Sequence, residues 1–139
     1  MASRRRQARV AVMQTLFEVD FAGEKKRHDT NDILRRNIDE AGRASVDNAF
    51  AEELLSGIEK HEDDIRAAMQ EHAPQWPLER MDAITRAILM VGTYELLFSE
   101  DAPPAVIMNE AIEIAKEFGG GESGKFVNGV LNAIAHSSP

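Results

Sequence analysis
Apolar side chains recur three and four residues apart in segment after segment of this chain, and no segment sustains the period-two alternation of a half-buried strand. That spacing suits helices alone, so the chain reads as all-α. Over residues 4–21 the positions Ala8, Val12, Leu16 and Val19, with Met13 and Phe17, share a face, and the polar run 23–28 ends the segment. Asp29, Thr30 and Asn31 offer caps for a shorter helix carrying Ile33, Leu34, Ile38 and Ala41, stopped near Gly42. Ser45 stands where it would cap one long helix whose stripe is Phe50, Leu54, Gly57, Ile58, Ile65 and Met69. That helix must stop before Pro74, because proline disfavours helical geometry in its predecessor.

Residues 74–77 then read as a turn and 78–81 as a single helical turn. Over residues 82–99 apolar side chains from Ile84 to Leu97 wrap most of the circumference, which places this helix in the centre of the fold. Pro103 and Pro104 break the chain and put a proline at the next helix start. Ile107, Ala111, Ile114, Ala115 and Phe118 form a stripe ended by three glycines, and Ser123 would cap a last helix. Six or seven helices with short connections result, without internal repeats.

A length of 139 residues fits a single domain. The absence of cysteine excludes disulfides, thiolate zinc sites, iron–sulfur clusters and a cysteine nucleophile. No stretch approaches the roughly 18 apolar residues of a membrane span. The opening Met1-Ala2-Ser3 followed by arginines has no apolar core behind it and reads as no signal peptide, so a cytoplasmic location is expected. The net charge of −8 is unevenly placed: residues 1–36 carry nine basic and five acidic side chains, the remainder seven and nineteen. Such asymmetry suits a small basic footprint on an otherwise acidic surface, and equally a chance segregation of solvated side chains.

The stretch from Gly119 to Lys125 satisfies G-x-x-x-x-G-K, but a helix precedes it and Phe126 stands where a magnesium-binding hydroxyl belongs. Nucleotide hydrolysis is therefore not expected. A helix opening at Ser123–Lys125 can attract an anion through its free N–H groups, or be a plain cap. Glu110, Glu113 and Glu117 share a face opposite an apolar stripe, the pattern of a solvated face rather than an acid–base pair. His28, His61, His72 and His136 fall in separate segments without ligand spacing, so neither metal nor cofactor is expected. No serine lies in a nucleophile turn, and nothing points to an enzyme. Arg4, Arg5, Arg6 and Arg9 are more informative. Like charges crowded on one helical turn repel, and a polyanion would relieve that, since arginine forks match phosphate. The alternative is a frayed, solvated terminus. Gln14 continues near the same face and could read a base edge.

Three blocks of sequence resemble the NusB family of bacterial transcription antitermination factors. They are Arg5-Arg6-Gln7-Ala8-Arg9 through Phe17, Arg86 through Leu96, and Asn109 through Lys116 continued by Phe118-Gly119 and Lys125 through Leu131. The resemblance implies about seven helices in two packed bundles, near residues 1–73 and 74–139, within one domain. It also implies binding of single-stranded boxA RNA in ribosomal RNA leader transcripts, together with the ribosomal protein NusE. That assembly would join RNA polymerase and other Nus factors so that elongation continues. By position, Arg5, Arg6, Arg9 and Gln14, with Glu122, Ser123, Lys125, Phe126 and Asn128, would touch RNA. NusE would dock on the acidic remainder, around Tyr94 and Glu95 or on the helix before it.

Phe17, Gln7, Glu122, Gly124 and Met90 depart from the residues frequent in the family; Gly124 would add backbone freedom at the anion site, and Met90 would remove a charge near Glu95. A similar helical domain precedes the catalytic part of ribosomal RNA cytosine methyltransferases, but here no cofactor-binding sheet follows. A protein-interaction domain whose arginines merely solvate is a third reading. An apolar face on the arginine helix could bury itself in a homodimer, and monomer and dimer both stay open.

Overall fold
The computed structural model describes residues 3–22 and 30–137. The run 23–28 and Asp29, expected to end one helix and cap the next, lie outside the described residues. Seven α-helices account for most of the described chain: α1 Arg4–Ala22, α2 Thr30–Ala41, α3 Asn48–Lys60, α4 Glu62–Glu71, α5 Ala83–Phe98, α6 Pro104–Phe118 and α7 Gly121–Ala135. Short 3-10 turns occupy Arg43–Ser45 and Leu78–Arg80, and no strand occurs among the described residues. The all-α reading is thus borne out. The chain divides into two compact units, Met1–Ser56 and Gly57–Pro139.

In the first unit the Ser3 hydroxyl accepts from the Arg6 N–H at 2.9 Å and so caps α1. Residues 8–13 of α1 are all buried, a wider face than the predicted stripe. α1 packs on α2, which buries Leu34 and Ile38. A polar link crosses that contact. Asn37 Nδ2 donates to Thr15 Oγ1 at 3.1 Å and to Glu18 Oε2 at 3.0 Å, while Thr15 Oγ1 donates to the Ala11 carbonyl at 2.8 Å. Glu18 also accepts from Arg36. Ser45 does not cap α3, as expected of it, but closes the 3-10 turn. The cap is Asp47, whose Oδ1 accepts from the Phe50 N–H at 3.1 Å.

In the second unit α5 packs against α4, α6 and α7 and is buried on nearly every face, as its circumferential apolar pattern predicts. Asp82 caps it by accepting from the Thr85 N–H at 3.2 Å. The single long helix expected before Pro74 is instead two. The backbone breaks at His61, with φ −113° and ψ 22°, and the His61 ring stacks on Phe98 at 3.9 Å between centroids. A one-residue interruption leaves the apolar spacing intact, which is why periodicity ran straight through it. The acidic first turn of α4, Glu62 to Asp64, suits a helix start. α7 likewise begins at Gly121 and not after Ser123, because Gly120 at φ +87° turns the chain into it. Among the described residues no helix is long and apolar enough to cross a membrane.

Candidate nucleic-acid interface
The arginines of α1 are organised by α3. Phe50, buried beneath them, takes the Arg5 guanidinium over its ring at 4.3 Å and that of Arg9 at 5.0 Å. Arg5 also lies 3.9 Å from Asp47 Oδ2 while keeping 44% of its side chain exposed. Arg9 is only 4% exposed, so it supports the ring and offers little surface to a ligand. Arg4 is committed elsewhere: its Nε and Nη2 donate to the carbonyls of Ala44 and Val46 at 3.2 and 3.0 Å, bracing the 3-10 turn. Arg6 and Gln14 are half-buried on the same helix, and Arg6 is engaged within the protein. The alternative of a frayed terminus gives way to a helical turn in which Arg5 is the most available cation of the pair stacked on Phe50.

At the start of α7, Glu122, Lys125 and Asn128 are exposed and follow one another at helical spacing. Lys125 keeps 81% of its side chain open and lies 3.7 Å from Glu122, an exposed pair that solvent screens. Ser123 is turned inward: its Oγ donates to the Gly119 carbonyl at 2.8 Å and lies 3.3 Å from Thr85 Oγ1. Its hydroxyl thus closes the α6–α7 connection, and the free N–H groups belong to residues from Gly121 onward. Gly124 is a buried helical position facing Ile112 and Lys116 of α6, so it adds no backbone freedom. Phe126 is half-buried against Trp76, with ring centroids 5.9 Å apart.

Of the two residues expected at a partner surface, Glu95 is 1% exposed and engaged within the protein. The central position of α5 buries it, so it offers no carboxylate to a docking partner. Tyr94 is half-buried, its ring 6.0 Å from Phe98 and its phenol filling the space where a Cβ on Gly57 would sit. The exposed apolar residues of that helix are Leu97 and Phe98.

The remaining candidates settle into structural work. The carboxylates of α6 lie on an open or half-open face. His72 Nδ1 lies 2.9 Å from the Ala68 carbonyl and His136 Nδ1 2.8 Å from that of Asn132, closing the ends of α4 and α7. Glu18 holds a shifted titration: burial pushes its carboxyl up, but hydrogen bonds from Arg36 and Asn37 and the Arg36 charge outweigh this and hold it below its usual range. Sequence reasoning missed Phe50, Asp47 and Trp76. Phe50 read as part of an apolar stripe and Asp47 drew no reading, and only the α1–α3 approach reveals what they hold.

A family model described as the NusB family matches residues 6–136. A transcription antitermination protein NusB from Dehalococcoides mccartyi is 36% identical over 135 residues, covering 97% of this chain and 92% of the relative. The solved structure of T. maritima NusB superposes with a TM-score of 0.81 at 37% identity, covering 97% of this chain and 92% of that one. A structure of the antitermination factors NusB and NusE in complex with double-stranded RNA shares the fold, with a TM-score of 0.81 at 23% identity over 96% of each chain. With a model match across nearly its whole length and relatives at this identity, the chain belongs to the NusB family.

Proposed function
We propose that this protein is a non-catalytic transcription antitermination factor of the cytoplasm. It binds boxA RNA of ribosomal RNA leader transcripts together with the ribosomal protein NusE, and in that assembly supports processive elongation by RNA polymerase. The observation that carries the reading is the match to the NusB family over residues 6–136, whose curated relatives are named transcription antitermination proteins. A NusB that shares this fold has been solved with NusE and RNA. Arg5 and Arg6 at the start of α1, and Lys125, Phe126 and Asn128 of α7, supply RNA contacts. Arg9 positions Arg5 from beneath through Phe50, and Arg4 secures the turn beside it. NusE docks near Tyr94, where exposed Leu97 and Phe98 are followed by exposed Glu100 and Asp101.

Fluorescence anisotropy of a labelled boxA RNA and a shuffled control, with and without NusE, tests this. BoxA should bind more tightly than the control, more tightly still with NusE, and poorly to a variant combining Arg5→Ala, Arg6→Ala and Lys125→Ala. Leu97→Asp should weaken the NusE effect and spare binding of RNA alone. Equal binding of boxA and shuffled RNA with NusE present would overturn the reading.

A further inference from the structure
Trp76 sits on a turn braced from two sides. Its N–H donates to the Ala73 carbonyl at 3.1 Å, and Gln70 Nε2 donates to the carbonyls of Ala73 and Trp76 at 3.0 and 3.2 Å. Gln70 Oε1 accepts from the Leu78 N–H at 3.1 Å, and Arg86 Nη1 donates to the Met81 carbonyl at 3.0 Å just beyond. Pro74 and Pro77 flank Trp76 in the chain and fix their own φ. The backbone that carries this large aromatic side chain is thereby braced while 53% of the residue stays open. Burying an indole contributes strongly to stability, so one ordered in this way and left half open has surface available for a ligand.

The neighbouring ring indicates which ligand. Phe126 lies 5.9 Å away with the planes at 50°, so the rings are tilted rather than stacked, and the indole keeps surface open. Phe126 follows Lys125, whose ammonium is exposed. An aromatic pair with an exposed cation one residue away on the same helix offers what a single-stranded nucleotide requires, a ring for the base to stack on and a charge for its phosphate. We propose that Trp76 and Phe126 form a stacking platform for one unpaired nucleobase of the bound RNA, with Gln70 as the positioning residue that braces the turn carrying the indole. This rests on the RNA-binding reading above and adds to it a contact from a turn outside both basic segments.

Trp76 is the only tryptophan in the chain, so its emission reports on the platform directly. Unlabelled single-stranded boxA RNA is titrated into the full-length protein with emission followed. In parallel, anisotropy of labelled RNA is measured for wild type, Trp76→Ala and Trp76→Phe, with circular dichroism confirming unchanged helix content. Emission should be quenched with the same midpoint as the anisotropy change. Trp76→Ala should weaken binding about tenfold with the salt dependence unaltered, and Trp76→Phe should recover most of the loss. A scan of abasic positions in the RNA should find one whose loss weakens wild type but not Trp76→Ala. Normal RNA binding with unchanged emission and an undiminished alanine variant would overturn the platform and leave the RNA reading standing. Quenching by NusE alone would reassign the turn to a protein contact and overturn it as well. Absence of any RNA binding would remove both.

Discussion
Glu18 shows how one residue couples the α1–α2 contact to pH. Burial raises its carboxyl, but the hydrogen bonds from Arg36 and Asn37 prevail, so the folded state holds the carboxylate below its ordinary pKa of 4.5. A lowered folded pKa contributes stability that is fully present above the unfolded value and is lost as pH falls through the folded one. Thermal melts of wild type and Glu18→Gln should therefore differ near neutrality and converge as pH drops below 4.5. Curves that stay parallel would mean the carboxylate contributes nothing. Thr93 presents the opposite case. It is fully buried, and its hydroxyl has no hydrogen-bond partner among the described residues. Thr93→Val keeps the shape and removes the desolvated hydroxyl, so it should raise stability by about 1 kcal/mol in chemical denaturation. Neither site carried a sequence signal, because a threonine or glutamate at helical spacing looks the same with or without a partner.

Two glycines placed inside helices respond oppositely to the same substitution. A methyl group at Gly124 would meet Lys116 Cγ and Ile112 Cγ2 at 3.8 and 3.9 Å, ordinary contact distances. Gly124→Ala should thus stabilise α7 by about 1 kcal/mol through helix propensity alone. At Gly57 a methyl would fall on the Tyr94 phenol, whose ring stands in the stack with His61 and Phe98. Gly57→Ala should cost about 1–3 kcal/mol through overpacking, and Tyr94→Ala in that background should remove most of the penalty. Both are read from denaturation midpoints. The helices themselves were legible: their apolar spacing and the proline and glycine punctuation agree with α5, α6 and the end of α2. The starts of α3 and α7 were not. Ser45 and Ser123 carry cap-forming side chains, yet neighbouring backbone geometry selected Asp47 and Gly120 instead.

At the scale of the whole molecule, a net charge of −8 repels RNA, so affinity depends on a few locally placed cations. Neutralising about four phosphates predicts a slope of roughly −3 in log affinity against log salt. Arg5→Ala should reduce that slope by about 0.7, since one phosphate contact is lost. Arg9→Lys should lower affinity with less change in slope, because Arg9 lies buried over the Phe50 ring and offers little surface to a phosphate. Equal slope changes for the two would mean that both meet phosphate directly.

By itself the sequence determined the class of fold, the course of most helices, the centrality of α5 and the family, since these depend on periodicity and local chemistry carried by consecutive residues. The tertiary structure decided which charged residues are available. Arg4, Arg9 and Glu95 have the same composition-level appearance as Arg5 and Lys125, but their guanidinium and carboxylate groups are spent within the protein. It also decided that Trp76, read as part of a proline turn, stands open beside Phe126. Exposure and partnership depend on residues far apart in the chain, and no local pattern encodes what a distant helix will cover.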